Sequence, residues 1–186
     1  MPPVFKRRNV NMSPNPNNTE VESSSMQKSL LIDPDKCTSC LQCEMACSFE
    51  QEGIFNPAKS RIKVFEFEHG LKAIPYTCTQ CSEAWCLHAC PVEAITVNAE
   101  TGAKEVNPNT CVGCKVCTIA CPFGTVNYNA DTGKVVKCDL CGGDPACAKA
   151  CPTDAITYVD ANWTGYDRMQ EMAMAGHGRP AEGAAQ

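Results

Sequence analysis

The sequence predicts an α+β fold made by repeating one small unit, with short β-hairpins, short helices and a small hydrophobic core. Three observations predict it. The 186 residues include 16 cysteines, which fall into four runs of four. A Cys-Pro step leading into a short apolar strand occurs three times. Aromatic residues are only 6% of the chain, and cysteine fills much of its apolar count. The length suits one ordinary domain, but its side chains alone make a thin core.

Residues 1–28 are rich in Asn, Ser and Pro and show no hydrophobic period, so they read as a disordered or partner-bound arm. Ser29 to Ile32 predicts a short strand before Asp33-Pro34 and the first cysteine run. Between the first two runs, Arg61 to Phe67 alternates charged and apolar residues, as a half-buried strand does. Gly70 marks a turn, and Lys72 to Tyr76 returns as the partner strand. Glu66, Glu68 and His69 read as a solvated rim there.

The repeat follows. Its copies are Cys90-Pro91 to Val97, Cys121-Pro122 to Tyr128 and Cys151-Pro152 to Tyr158. Glu100-Thr101-Gly102 and Asp131-Thr132-Gly133 then turn the first two copies into hairpins. Residues 29–162 thus form one repetitive domain. Residues 163–186 break the pattern. Thr164 to Asp167 resembles a capping box, and Tyr166, Met169, Met172 and Ala173 recur at helical spacing. This predicts a helix that packs on its own domain or contacts another subunit, followed by a flexible tail from Gly176.

The four runs carry the chemistry. Run one (Cys37, Cys40, Cys43, Cys47) and run three (Cys111, Cys114, Cys117, Cys121) have the spacing C-x2-C-x2-C-x3-C. Such spacing is the bacterial ferredoxin pattern, in which three cysteines hold one [4Fe–4S] cluster and the fourth reaches a second. Two-residue gaps let a tight loop wrap a cubane, whereas the gap of three starts a helical turn and aims the last sulfur elsewhere. Proline after that cysteine sends the chain away from the helix. Run two (Cys78, Cys81, Cys86, Cys90) and run four (Cys138, Cys141, Cys147, Cys151) stretch one gap. In run four Gly142, Gly143 and Pro145 suit the turn this requires. Four runs predict four clusters, with iron as the metal, and a tandem bacterial-ferredoxin-like, or polyferredoxin, fold. Spacing alone leaves nested and sequential pairing of the runs open.

Disulfides and zinc explain less. Cysteine is about 9% of the chain, enough for a disulfide scaffold in a secreted protein, but no secretory signal is visible. Zinc takes two cysteine pairs per ion and leaves the recurrent x3-C-P ending unexplained.

The formal net charge is −5. Four oxidised clusters with their thiolates add about −2 each, giving about −13, which argues against nucleic acid as a partner. No stretch has the length of a transmembrane helix. Lys6-Arg7-Arg8 lacks a following apolar region, so it reads as a solvated tail and not an export signal. The expected location is the cytoplasm, with export on a partner subunit's signal left open.

Residues 30–160 resemble the four-cluster iron–sulfur subunits of molybdopterin and tungstopterin oxidoreductases, and also the related subunits of hydrogenase and carbon monoxide dehydrogenase complexes. The likeness rests on the four runs, on Asn56-Pro57-Ala58-Lys59-Ser60-Arg61-Ile62 and on Lys137-Cys138-Asp139-Leu140-Cys141. The compact size is most similar to the small iron–sulfur subunit of bacterial tungsten-dependent aldehyde oxidoreductases. The resemblance implies that run two pairs with run three and run one with run four. Cluster 1 would then be held by Cys37, Cys40, Cys43 and Cys151, and cluster 2 by Cys78, Cys81, Cys86 and Cys121. Cluster 3 would take Cys90, Cys111, Cys114 and Cys117, and cluster 4 Cys47, Cys138, Cys141 and Cys147.

It further implies a non-catalytic electron-transfer subunit with no catalytic residues of its own. Its expected partners are a large pterin-bearing catalytic subunit, a flavin- or nicotinamide-linked acceptor subunit, and further copies of the chain joined through its arms. Those arms also admit a filament-forming role. Lys36, Lys115 and Lys137 are candidates for raising cluster potentials, although the simpler expectation for each is a solvated charge. His88 is superfluous as a ligand, and Trp85 and Trp163 are expected to cover clusters or interfaces.

Overall fold

A computed structural model describes residues 27–161 together with Gly165 and Met169. The expectations for the arm up to residue 26, for Trp163 and for the C-terminal helix and tail lie outside the described residues. Among the described residues eight strands form four separate two-stranded antiparallel sheets, and no sheet has more than two strands.

The first strand, β1 (Lys28–Ile32), pairs with the last, β8 (Ile156–Asp160), in the register Lys28 to Asp160 and Ile32 to Ile156. This closes the chain on itself and places run four beside run one. Strands β2 (Lys63–Phe67) and β3 (Lys72–Tyr76) pair across the turn at Gly70. The repeat's hairpins are β4 (Ile95–Val97) with β5 (Lys104–Val106), and β6 (Asn127–Asn129) with β7 (Lys134–Val136). The third copy ends in β8 and uses β1 as its partner strand, so the N-terminal strand supplies what the third hairpin lacks.

Each cysteine run ends in a helix. These are α1 (Gln42–Glu52), α2 (Trp85–His88), α3 (Val116–Ala120) and α4 (Ala146–Lys149). The third cysteine of each run lies on its helix: Cys43, Cys86, Cys117 and Cys147. Pro91, Pro122 and Pro152 follow the fourth cysteine in three runs, and those helices are short. Run one has Ser48 in that place. Its helix therefore runs on to Glu52, with Cys47 inside it and Gly53 in a left-handed cap (φ 70°). The missing proline changed the helix length and left Cys47 buried.

The core comprises three small clusters, and cysteines belong to all of them. Ile62, Leu140 and Ile156 are the largest apolar side chains that are fully buried. The thin core expected from composition is what the chain has.

Candidate iron–sulfur cluster sites

The cysteine loops share an unusual backbone. The residue before the second cysteine is left-handed in all four runs: Ser39 (φ 56°), Gln80 (φ 53°), Gly113 (φ 69°) and Leu140 (φ 58°). Leu41 (φ 58°) and Lys115 (φ 63°) repeat this before α1 and α3. A left-handed non-glycine residue costs roughly 1–2 kcal/mol, and such strain gathers at functional sites. Alternation with right-handed residues turns successive N–H groups toward a common concave centre, an arrangement suited to an anionic group. The Cys-Pro turns do likewise, with Glu93 (φ 50°), Gly124 (φ 64°) and Asp154 (φ 52°) at equivalent positions.

Cys37, Cys40, Cys43 and Cys151 line one cavity with Leu41, Val64, Pro75 and Ile156. Cys78, Cys81, Cys86 and Cys121 line another with Ala84, Trp85, Pro122 and Val126. Cys117 is surrounded by Cys90, Cys114 and Cys111, near enough for their charge to disfavour its ionisation. Cys147 is likewise surrounded by Cys138, Cys47 and Cys141, with Cys43 of the first group nearby. Each group takes three cysteines from one run and one from another.

These donors fit a cluster. All are sulfur, and two of the groups line cavities. Among the described residues no three His, Cys, Asp or Glu side chains converge closely enough to hold a single metal ion. Burial pushes the Cys43 thiol up to about 12 and the Cys117 and Cys138 thiols up to about 11. Cys147 is raised further by the same desolvation. Burial holds these thiols protonated, and binding to metal displaces their protons.

The cysteines of the Cys-Pro turns differ. Burial raises Cys121, but the Thr125 hydroxyl and the backbone N–H groups of Thr125, Phe123 and Gly124 outweigh it and lower the thiol overall. Cys151 is lowered in the same way by Thr153, Ile156 and Ala155. Further donors reach sulfur elsewhere: the Arg61 N–H donates to Cys47 Sγ at 3.3 Å and the Ala94 N–H to Cys90 Sγ at 3.2 Å.

Of the lysines singled out in the sequence, Lys36 is solvated beside Asp33 and Lys115 lies over the Tyr128 ring at 3.9 Å. Lys137 departs from the expected solvated charge and is buried. His88 stays at the surface near Glu83, and Trp85, though largely exposed, lines the Cys81 cavity. Gln80 and Lys104 give no signal in the sequence, and Arg61 and Asp139 stand in the segments that carry the resemblance without a role legible there. Gln80 lies inside run two, yet only the fold shows its side chain bridging the Lys104 N–H (3.0 Å) and the Cys138 carbonyl (2.8 Å).

Residues 70–161 match the family model of the 4Fe-4S dicluster domain, and residues 30–50 that of the 4Fe-4S binding domain. The polyferredoxin-like subunit of aliphatic sulfonate oxidoreductase from Pyrococcus furiosus is 45% identical over 137 residues, which are 72% of this chain and 79% of the relative. The chain belongs to the polyferredoxin-like iron–sulfur subunits of oxidoreductases. Formate hydrogenlyase subunit 2 of Escherichia coli is 34% identical over 73% of this chain and 83% of its own length. The beta subunit of NADH-dependent phenylglyoxylate dehydrogenase from Aromatoleum evansii is 33% identical over 70% of this chain, which spans only 30% of that protein. Among solved structures, the active-site complex of benzoyl coenzyme A reductase aligns over 84% of the chain at 24% identity and a TM-score of 0.42. Polyferredoxin-like subunits carry [4Fe–4S] clusters and transfer electrons, and this chain is one of them. Among its described residues no helix is long and apolar enough to cross a membrane.

Proposed function

We propose that the chain holds four [4Fe–4S] clusters, in the nested sets implied by its family resemblance, and passes electrons along them between a catalytic and an acceptor subunit. The observation that carries this reading is the mixed make-up of the four cysteine groups, each with one member from a partner run. Bound clusters supply one-electron redox chemistry at potentials set by charge, solvent and hydrogen bonds to sulfur.

The protein's contribution is to hold these sites in a row. Sets 3 and 2 share one apolar cluster, which contains Cys86, Cys111 and Cys117 with Cys90 and Cys121 against it. Sets 2 and 4 meet through Cys78 and Cys138, packed with Ala103 and Leu140. Sets 4 and 1 meet through Cys43, Cys47, Cys147 and Cys151. The order is therefore 3, 2, 4, 1. Cys114 and Cys40 are the exposed cysteines, and they belong to the two end sets. Electrons enter and leave at those ends.

The partners follow from the resemblance to pterin-enzyme subunits. The donor or acceptor at one end is a large molybdenum- or tungsten-pterin subunit, with an aldehyde as its substrate class. A flavin- or nicotinamide-linked subunit, or another copy of the chain, takes the other end. The likeness to a subunit of formate hydrogenlyase favours a second reading, a ferredoxin-like subunit of a hydrogenase or carbon monoxide dehydrogenase complex. Purification from the native cell with metal analysis separates the two. A large co-purifying subunit with tungsten or molybdenum supports the first reading, whereas nickel supports the second.

A further inference from the structure

Two lysines are buried where sets 2 and 4 meet. Lys137 is 3% exposed and Lys104 5%, with Gln80 at 2% between them. A buried ammonium group is costly unless it is paired with opposite charge. Among the described residues neither has a carboxylate partner. Lys104 Nζ donates to Gln27 Oε1 at 2.9 Å and to the Gln80 carbonyl at 3.3 Å. Lys137 Nζ donates to the Cys138 carbonyl at 2.9 Å, to the Lys104 carbonyl, and to Gln80 Oε1 at 3.5 Å. Every one of these acceptors is neutral. Both lysines line the cavity of Cys78, Cys81, Cys86 and Cys121, and no carboxylate lines it with them.

The other sets differ: beside set 3 a single lysine, Lys134, donates to the Cys111 carbonyl and is only half-buried, and set 4 shares Lys137 through the Cys138 carbonyl. Arg61, near Cys47, is neutralised by Asp139 at 2.9 Å. Beside set 1, Glu44, 6% exposed, directly follows Cys43, accepts from the Val64 N–H at 2.6 Å and pairs with Lys63 at 3.9 Å.

We infer that Lys104 and Lys137 are the fixed counter-charges of the centre held by Cys78, Cys81, Cys86 and Cys121, and that they make it the highest-potential centre of the row. The inference rests on the four-cluster reading. A cluster gains a negative charge when reduced, and two unpaired cations in a water-poor site favour that state over the oxidised one. Lys137 adjoins Cys138, so the charge lies at the step between the two halves of the protein. The lysines act through the cluster's electrostatics and touch no substrate.

The test is a redox titration of the full-length, iron-replete protein followed by electron paramagnetic resonance. In the unaltered protein one centre should titrate above the other three, and it should be the centre whose signal changes in Cys81→Ser. Lys104→Met and Lys137→Met should each lower that centre's reduction constant by at least tenfold, which is 59 mV for a one-electron couple. The exposed Lys72→Gln should move none. Fully loaded lysine variants with unchanged potentials would overturn the inference while leaving the four-cluster reading intact. If neither variant loads iron, the unaltered protein decides: a highest centre other than the one altered by Cys81→Ser overturns it. About eight iron atoms per chain in the unaltered protein, or two cubanes, would overturn the four-cluster reading and this inference with it.

Discussion

Arg61 and Asp139 are 78 residues apart in sequence, and Arg61 Nη1 lies 2.9 Å from Asp139 Oδ2. Both ends of this ion pair also hold cysteine loops. The Arg61 N–H donates to Cys47 Sγ, and Asp139 Oδ1 accepts from the Cys141 N–H at 3.0 Å. Gln51 Nε2 adds a bond to the same carboxylate at 3.0 Å. The pair therefore fastens the end of run one to the start of run four. It is partly exposed, and the Arg61 Nε–H is buried without a partner, so its net worth is moderate. Arg61→Leu should cost about 1–2 kcal/mol. It should show as a lower melting temperature of the loaded protein and faster iron loss to a chelator.

Gly113 and Gly142 make a matched pair of tests. Both are left-handed, at φ 69° and 63°. A Cβ on Gly113 would stand 2.2 Å from the Gly133 carbonyl oxygen, whereas one on Gly142 meets nothing within 4 Å. Gly113→Ala must push the β6–β7 hairpin off the run-three loop. It should lower iron content by about four atoms per chain, one cubane. Gly142→Ala carries only the conformational cost of about 1–2 kcal/mol and should keep its iron.

The nested pairing makes a prediction that sequential pairing reverses. Cys121→Ser should disturb the same spectroscopic centre as Cys81→Ser, and Cys90→Ser the same centre as Cys114→Ser. Sequential pairing of the runs would instead group Cys121 with Cys141 and Cys90 with Cys40. Resonance spectra of the four variants, each reduced stepwise, distinguish the two.

Removal of the clusters should make the chain sensitive to alkali. The ordinary thiol value is 9.0, and burial raises Cys43 to about 12 and Cys117 to about 11. A folded metal-free chain thus keeps protons that the unfolded chain releases. The stability this represents is complete below about pH 9 and is lost as pH rises toward 11–12. Circular dichroism of the reduced, metal-free protein should lose signal over that window. The loaded protein, its thiolates already bound to metal, should hold its signal.

Much of this fold was legible from the cysteines and their neighbours. The Cys-Pro-strand unit locates β4, β6 and β8, and the alternation from Arg61 onward locates β2. Local signals of this kind survive because each hairpin is decided within a few residues. What stayed hidden is non-local. Nothing near Lys28 says that β1 pairs with β8, because that pairing joins the two ends of the domain. Gln80 and Lys104 look like ordinary polar residues until the fold brings runs two and four together. Left-handed positions are legible where turn glycines occupy them, as at Gly70, Gly142 and Gly143. Ser39, Gln80 and Leu140 adopt the same backbone without advertising it.

The most direct test of the central claim is a count of iron and acid-labile sulfide per chain in anaerobically purified protein. Four cubanes require about sixteen of each, with zinc in traces only. About eight of each, or zinc in stoichiometric amount, would contradict the four-cluster row.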